Sequence, residues 1–257
     1  MDLKLTDKLF IVGGATSGLG RAIIEQLVAE GAKVIAVART QQKLEALKKI
    51  HAGIEILTGD LSEENVLEEI LNKIGNRLLT GAVVNSGGPP AMPTMKTQLS
   101  DWDNAYKTVM RWKIALTQAL LPKMMAAGYG RLLYIESVST KQPVENLVLS
   151  NAMRLAVTGY VKTLSQEIGG CGVTLNILAP GYHATQRMES LFIKNSELKG
   201  VSETKIRKEF SDQTSVKQIG RPEDFASLAA WLLSTHSRYI NGQTITVDGG
   251  LVKGTMG

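Results

Sequence analysis

Three glycines near the start of the chain have the spacing of a phosphate-binding turn. Gly14, Gly18 and Gly20 follow a short apolar run and precede residues 21–30, whose apolar positions have helical spacing. A larger side chain would keep a pyrophosphate away from the backbone N–H groups at the start of the helix. A bare turn is the alternative, because glycine is common in turns. A second apolar run at residues 33–37 completes a strand–turn–helix–strand unit and favours a dinucleotide site.

A positively charged residue follows the second predicted strand. Proteins that bind NAD place an acid there for the ribose hydroxyls, whereas this chain has Ala38-Arg39-Thr40. Arg39 offers a permanent positive charge and a fork of donors that suits a 2′-phosphate. We therefore predict NADP(H) in preference to NAD(H), with a solvated surface arginine as the alternative.

After this unit, strand and helix patterns alternate to the C-terminus. Further strands are predicted at residues 54–57, 82–85, 131–135, 173–178 and 244–247, and helices at residues 41–49, 100–127, 150–168 and 223–233. Ser62 is the predicted N-cap of another helix. No linker-like segment interrupts the alternation. We therefore predict a single doubly wound (Rossmann) α/β domain over residues 1–257, with a parallel sheet of about seven strands and helices on both faces.

Residues 186–216 depart from this alternation. The segment is polar and charged, with only scattered apolar residues. Long loops in compact domains are often functional, so we interpret the segment as a possible substrate lid, with a surface insertion as the alternative.

The glycine spacing and several later motifs resemble the short-chain dehydrogenase/reductase family. The matching segments are Asp60-Leu61, Asn85-Ser86-Gly87-Gly88, the Pro180-Gly181 motif that ends at Thr185, and Asp248-Gly249-Gly250. The resemblance implies that Asp60 contacts the adenine ring and that Thr185 binds the nicotinamide carboxamide. Together with the turn and Arg39, these motifs give the predicted cofactor-binding residues: Gly14, Thr16, Ser17, Gly18, Leu19, Gly20, Arg39, Asp60, Leu61, Asn85, Gly87, Pro180, Gly181 and Thr185.

The reaction centre departs from the family pattern. The family uses an asparagine, a serine and a Tyr-xxx-Lys pair. This chain keeps Ser137 but has Ser150 and Arg154 at the tyrosine and lysine positions, and Val109 at the asparagine position. We interpret Ser137 and Ser150 as holding a carbonyl oxygen and Arg154 as supplying positive charge, while water or a substrate group delivers the proton. The alternative is a site without chemistry, in which Ser150 is a helix N-cap and Arg154 a surface residue.

Four other side chains are candidate acids or bases. Tyr182 and His183 lie in the loop that the resemblance assigns to the nicotinamide, and a histidine can titrate near neutral pH. We expect a solvent-facing role for this loop. His51 and His236 have no partner motif, so we assign them no chemistry.

The resemblance implies an NADP(H)-dependent oxidoreductase, similar to 3-oxoacyl carrier-protein reductases, that acts on a ketone, a 3-oxoacyl group or a secondary alcohol. The alternative is an inactive NADP(H)-binding sensor or assembly protein on the same fold. The family's usual homodimers and homotetramers imply a homo-oligomer that packs through the helices at residues 100–127 and 150–168.

The composition narrows the remaining function classes. The 29 lysines and arginines are scattered among 24 acids, so despite the net charge of +5 we predict no nucleic-acid partner. Cys171 is the single cysteine, which excludes an intramolecular disulfide and a multi-thiolate zinc site, and we predict no metal. No apolar run is long enough to span a membrane, and no secretion signal is recognisable, so we expect a cytoplasmic protein.

Overall fold

The computed structural model describes residues 1–51 and 53–255, and these residues contain one parallel sheet. Its strands are β1 (Leu9–Gly13), β2 (Lys33–Ala38), β3 (Ile54–Thr58), β4 (Leu79–Val84), β5 (Gly130–Ile135), β6 (Val173–Pro180) and β7 (Thr244–Val247). The spatial order is β3-β2-β1-β4-β5-β6-β7, and every neighbouring pair is parallel. The predicted doubly wound Rossmann fold is therefore confirmed.

The helices cover both faces of the sheet. They are α1 (Gly18–Ala29), α2 (Gln41–Ile50), α3 (Glu64–Ile74), α4 (Leu99–Ala105), α5 (Trp112–Ala126), α6 (Val148–Glu167), α7 (Gln186–Lys199), α8 (Glu203–Gln213) and α9 (Pro222–Leu233). Strand β1 shows how the two cores arise from alternation along a strand. Phe10 and Val12 pack with α1 and α9, whereas Leu9 and Ile11 pack with α3, α5 and α6.

The chain order reverses at β1. From β1 the chain runs outward to β2 and β3, then returns to pair β4 with the other side of β1. Loops that follow β1 and β4 diverge at this reversal and leave a crevice beyond their carboxyl ends, where doubly wound sheets bind ligands. The fold therefore brings the glycine turn after β1 and the loop after β4 to one place.

The predicted helix at residues 100–127 is broken into three parts. Helix α4 leads into a wider π-helical turn at Tyr106–Arg111, after which α5 resumes the ordinary pitch. Such insertions are often found at functional sites. Along this stretch Ala105, Val109 and Lys113 are buried and lie four residues apart, a slightly longer repeat than an α-helix gives.

The structure corrects two further expectations. Residues 186–216 contain helices α7 and α8, so the segment is largely helical. The sequence does not predict these helices because neither has a strong apolar stripe. Ser62 does not cap α3, because the N-cap is Glu63 and the Ser62 hydroxyl instead donates to Asp60. Within the described residues, no helix is both long and apolar enough to cross a bilayer.

Candidate active site

The glycine turn is closed by contacts within the protein. Gly14 has a positive φ of 61°, and the Asn85 side-chain amide donates to the Gly13 carbonyl at 3.1 Å. A Cβ on Gly14 would lie 2.6 Å from the Asn85 amide nitrogen, and one on Gly20 would strike the Gly14 carbonyl oxygen. Glycine is therefore required at positions 14 and 20 to join the turn after β1 to the end of β4.

The start of α1 leaves backbone donors available to a ligand. Ser17 is the N-cap, but its side chain makes no capping hydrogen bond, and the first turn contains no acid. The first N–H groups of a helix lack partners within it and carry partial positive charge, which suits an anion. Thr16 and Leu19 are half-buried beside Ser17, which is exposed. The turn therefore fits a diphosphate without help from a lysine.

Arg39 is free to reach a ligand at the end of β2. Its side chain is 80% exposed, and Nη1 lies 3.9 Å from an Asp60 carboxylate oxygen. Asp60 in turn accepts hydrogen bonds from the Ser62 backbone at 2.9 Å and hydroxyl at 2.8 Å. Burial alone would raise the pKa of Asp60, but these hydrogen bonds and the Arg39 charge lower it. The neighbouring Leu61 packs close to Gly13 under the turn.

The loop after β6 returns to the glycine turn. Pro180 ends β6 opposite Val247, and Gly181 lies so close to Asp248 that a Cβ there would meet the Asp248 Cβ at 2.7 Å. Thr185 caps α7 by accepting from the Met188 backbone at 3.4 Å. Its methyl carbon would lie 3.2 Å from a Cβ on Gly18. The two predicted cofactor segments thus touch each other, and Gly87 lies exposed in the loop after β4.

The expectation of a solvent-facing loop is wrong for His183. This residue is 4% exposed, and its ring packs edge-on against Phe225 at 5.4 Å between centroids. Burial lowers the pKa of His183, opposed by the Gly181 carbonyl and distant acids. Tyr182 is half-buried and donates to Gln213 at 3.0 Å. Both side chains therefore have structural contacts on this loop.

Ser150 and Arg154 lie inside α6 and are both 7% exposed. The helix begins at Val148 with Leu147 as its N-cap, so Ser150 is not a cap. Arg154 Nε donates to the Ser150 hydroxyl oxygen at 3.1 Å. Both structural assignments in the alternative, a capping serine and a surface arginine, are therefore wrong, since the two side chains form a buried pair.

A buried ion network, formed by Lys113, Glu136 and Arg154, holds this arginine. Arg154 Nη1 lies 3.0 Å from one carboxylate oxygen of Glu136, and Lys113 bonds to the other. The three side chains are 1%, 0% and 8% exposed in that order. Arg154 also donates to the Glu136 backbone carbonyl at 3.0 Å. Burial lowers the pKa of Lys113 to about 8, although Glu136 acts in the opposite direction.

Lys113 and Glu136 are not among the predicted site residues, although the sequence contains a signal for each. Lys113 lies on the buried face of α5 with Leu116 and Leu120, where helical periodicity calls for an apolar residue. Glu136 directly follows the buried strand β5 and precedes Ser137. A charged residue at a core position must be paired, so two such residues of opposite sign predict a partner for each other.

Ser137 and Val109 occupy the remaining two positions, those of the serine and the asparagine in the family pattern. The half-buried Ser137 caps the short turn Val138–Thr140 by accepting from the Ser139 backbone at 3.1 Å. Val109 is 1% exposed within the π-helical turn. An apolar side chain there cannot provide the hydrogen bonds of an asparagine amide.

The loop after β4 links the glycine turn to the ion network. A Cβ on Gly88 would lie 3.0 Å from Nη2 of Arg154. Through Asn85, the same loop is bonded to Gly13. The reaction residues and the glycine turn therefore share one crevice. In residues 1–51 and 53–255, no group of three or more His, Cys, Asp or Glu side chains is placed to hold a metal ion.

Comparison with known proteins finds related reductases over nearly the whole chain. A family model described as enoyl-(acyl carrier protein) reductase matches residues 14–252. The 3-oxoacyl-(acyl-carrier-protein) reductase FabG of Haemophilus influenzae is 31% identical over 251 residues, which cover 95% of this chain and 98% of that relative.

Solved structures show the same architecture over nearly the whole chain. An actinorhodin polyketide ketoreductase with NADPH is 25% identical, with a TM-score of 0.90 over 96% of this chain and 98% of its own. The L-sorbose reductase of Gluconobacter frateurii, complexed with NADPH and L-sorbose, has a TM-score of 0.93 and covers 99% of this chain and 100% of its own. At 23% identity this second likeness supports the fold alone.

Proposed function

The chain belongs to the short-chain dehydrogenase/reductase family, and from this premise we propose that it is an NADP(H)-dependent oxidoreductase that interconverts a carbonyl group and a secondary alcohol. The relatives that support this proposal are a 3-oxoacyl reductase and a polyketide ketoreductase, and the solved ketoreductase contains NADPH. The observation that carries the proposal is the buried Ser150–Arg154 pair, which lies against the Gly88 loop at the edge of the cofactor crevice.

The crevice suits NADP(H) at both ends of the dinucleotide. The uncapped start of α1 provides backbone donors for the diphosphate, and the exposed Arg39 provides a cation for the 2′-phosphate. Asp60 and Thr185 would contact the adenine and the carboxamide. When bound, the reduced cofactor supplies a hydride for the carbonyl carbon.

The chain's own residues stabilise the oxygen on which negative charge develops. The Ser150 oxygen already accepts from Arg154, so its single proton stays available to the substrate. Ser137 likewise accepts from the Ser139 backbone and can donate its hydroxyl proton. Two hydroxyl donors and a nearby guanidinium therefore form an oxyanion site that replaces the family's tyrosine and lysine.

Arg154 orients this site but does not deliver the proton. A guanidinium remains charged in proteins, and this one is held by Glu136 and by backbone carbonyls. Lys113 is bonded to the far oxygen of Glu136 and is 1% exposed. We propose that water protonates the alkoxide, which yields the alcohol and a hydroxide ion.

Residues 186–216 are proposed to cover the substrate. Helices α7 and α8 are joined by an ion pair from Arg207 to Glu189 and by edge-on contact of Phe192 with Phe210, 5.3 Å between centroids. Because Thr185 starts α7 directly at the glycine turn, movement of this helix pair would open or close the crevice.

A cytoplasmic homo-oligomer is proposed for the assembled protein. Leu155 on α6 is 55% exposed, Met125 on α5 is 41% exposed, and the Gly159 backbone has free space above it. Apolar side chains beside an open glycine suit close packing of α5 and α6 against a second copy. Light scattering coupled to gel filtration measures the oligomer size.

Fluorescence titration and turnover assays test the function. NADPH is expected to bind more tightly than NADH. NADPH oxidation is then followed against ketones, 3-oxoacyl thioesters and keto sugars. Ser150→Ala and Ser137→Ala should each lower kcat by roughly 10²- to 10³-fold while leaving the NADPH Kd unchanged, as expected for lost oxyanion donors.

Ser227→Ala is the matched control, because this exposed α9 hydroxyl bonds only its own helix. It should leave kcat unchanged. Tight NADPH binding without turnover of any compound in the panel would instead favour the cofactor-binding sensor or assembly protein.

A further inference from the structure

A second arginine lies against the loop that meets Arg154. Arg187 is the second residue of α7, and its Nη1 would lie 3.5 Å from a Cβ on Gly88. Nη2 of Arg154 would lie 3.0 Å from the same point. Two guanidinium groups from different helices, α6 and α7, therefore converge on one backbone position in the crevice.

The acids around these arginines are too few to balance the charge. Lys113 and Arg154 already share Glu136. Within the described part of the chain, Arg187 has neither a hydrogen bond nor an ion pair, and the charge that acts on its guanidinium is that of another cation, Arg154. The crevice therefore contains three cations and one carboxylate.

The environment of Arg187 adds to this imbalance. The residue is solvent-accessible, yet desolvation by surrounding atoms lowers the pKa of its guanidinium, and the Arg154 charge lowers it further. Two like charges that face each other across a partly desolvated crevice are unfavourable unless an anion joins them. The paired N–H donors of a guanidinium match the two oxygens of a carboxylate.

The Arg187 guanidinium lies beside a different loop from the diphosphate turn. Thr185 contacts Gly18 on that turn, and Gln186 lines an outer cleft with Ser17 and Arg21. Arg187 instead reaches the Gly88 loop, where Arg154 and Ser150 stand. A group bound between the two arginines would therefore lie beside the reacting carbonyl.

We propose that Arg187 and Arg154 together bind a carboxylate of the substrate, so that the preferred substrates are keto acids or the corresponding hydroxy acids. This inference rests on the proposed oxidoreductase function and specifies its substrate class. Arg154 then has two roles, since Nε orients Ser150 while Nη2 faces the carboxylate. Arg187 is the residue that determines specificity.

The test compares acids with their neutral esters. Initial rates of NADPH oxidation are measured with pyruvate, acetoacetate and levulinate and with the methyl ester of each. The wild-type protein should prefer one of the acids. Arg187→Gln should lower kcat/KM for that acid roughly 10- to 100-fold, mainly through KM, as expected for the loss of a charged hydrogen bond. The rate with its ester should not change, and Arg187→Lys should restore part of the loss.

Three further measurements separate the outcomes. Arg77→Gln removes a charge before β4, at the opposite edge of the sheet, and should leave both substrates unaffected. The thermal stability of Arg187→Gln should equal or exceed that of the wild type, because repulsion is relieved. With NADPH bound, propionate but not propionamide should bind in calorimetry, and Arg187→Gln should abolish this binding.

Several results would overturn the inference. A weaker NADPH Kd in Arg187→Gln would assign the guanidinium to the cofactor diphosphate. Equal rates on acids and esters would reject carboxylate recognition while leaving the oxidoreductase proposal intact. If no compound is reduced, the oxidoreductase proposal fails, and propionate binding alone tests the carboxylate site. If propionate does not bind, the site is rejected. If propionate binds to the wild type but not to Arg187→Gln, the site is supported.

Discussion

The crevice has two regions that are built from different parts of the chain. On the glycine-turn side, Gly14 and Asn85 shape the backbone, and the proposed ligand donors are main-chain N–H groups. On the reaction side, the ion network of Lys113, Glu136 and Arg154 consists of side chains from three separate elements. A site made by backbone depends on where small residues fall, whereas a site made by charged side chains depends on how distant elements pack.

This difference predicts that the two regions differ in the substitutions they tolerate. Many side chains can surround a glycine turn, provided that the positions near Asn85 and the Gly14 carbonyl stay small. In the ion network each charge needs the others, because an unpaired charge in the interior costs several kcal/mol. The two regions should therefore respond differently to substitution.

The largest effect is expected from Glu136→Gln. The substitution leaves Lys113 and Arg154 as two buried cations without a carboxylate, which should cost about 3–5 kcal/mol in the free energy of unfolding. Urea denaturation followed by circular dichroism measures the loss. Any variant that stays folded should still bind NADPH with nearly the wild-type Kd, because the glycine turn does not include this residue.

The control for this loss is Glu63→Gln, which removes one partner of an exposed ion pair with Lys107. Surface pairs contribute little, so its effect should be below about 1 kcal/mol. If Glu136→Gln and Glu63→Gln lose the same small free energy of unfolding, the stability of the ion network does not depend on buried charge. The contrast drawn between the two regions of the crevice is then wrong.

A smaller, pH-dependent effect is expected from Lys113→Met. The pKa of Lys113 falls from 10.5 to about 8 on folding, so between these values the unfolded chain binds this proton more strongly. The stability of the wild type relative to Lys113→Met should therefore rise from pH 7.5 to pH 10, by an amount on the order of 1–3 kcal/mol.

The measurement is urea denaturation of both proteins at the two pH values. Subtracting the variant cancels the contribution of other groups whose pKa changes on folding, including the buried Tyr134, whose pKa burial raises. A difference that stays constant with pH would show that Lys113 keeps its proton throughout, held by Glu136.

The smallest effect on stability is expected from Arg39→Ala, which tests the cofactor-binding region on the glycine-turn side of the crevice. The NADPH Kd should rise roughly 10- to 100-fold with the NADH Kd almost unchanged, since only a charged contact to the 2′-phosphate is lost. Because the side chain is 80% exposed, the urea midpoint should not move.

Fluorescence titration gives both dissociation constants. Arg77→Ala is the control, because Arg77 pairs with Glu55 and lies before β4, at the opposite edge of the sheet. An unchanged NADPH-to-NADH ratio in Arg39→Ala would assign this arginine to the solvent and reopen the choice of cofactor.

The sequence predicted the fold because the relevant signals are local. Most strands are short apolar runs and most turns contain glycine or proline, so the order of the elements is predictable without knowledge of tertiary contacts. The boundary errors were local as well. Ser62 has the composition of a cap, but its hydroxyl is bonded to Asp60 instead.

The candidate reaction site was only partly predictable. Ser150 and Arg154 are four residues apart on one helix, so their contact follows from helical geometry. Glu136 binds Arg154 from just after β5, and Arg187 approaches the same Gly88 loop from α7, so both placements depend on how those elements meet. His183 was misread because a loop residue is usually exposed, whereas this ring fills space beside Phe225.

The π-helical turn at Tyr106–Arg111 has a consequence for how related chains are compared. A wider turn advances each residue by a smaller angle, so over one such turn the downstream helix lags by roughly one residue, or about 100°. Deleting one residue there would restore ordinary winding and still leave Lys113 on the side that faces Glu136, because the wider turn offsets the one extra residue. Two homologues that differ only by such a gap would thus carry the same side chains on the following helix and differ only within the turn.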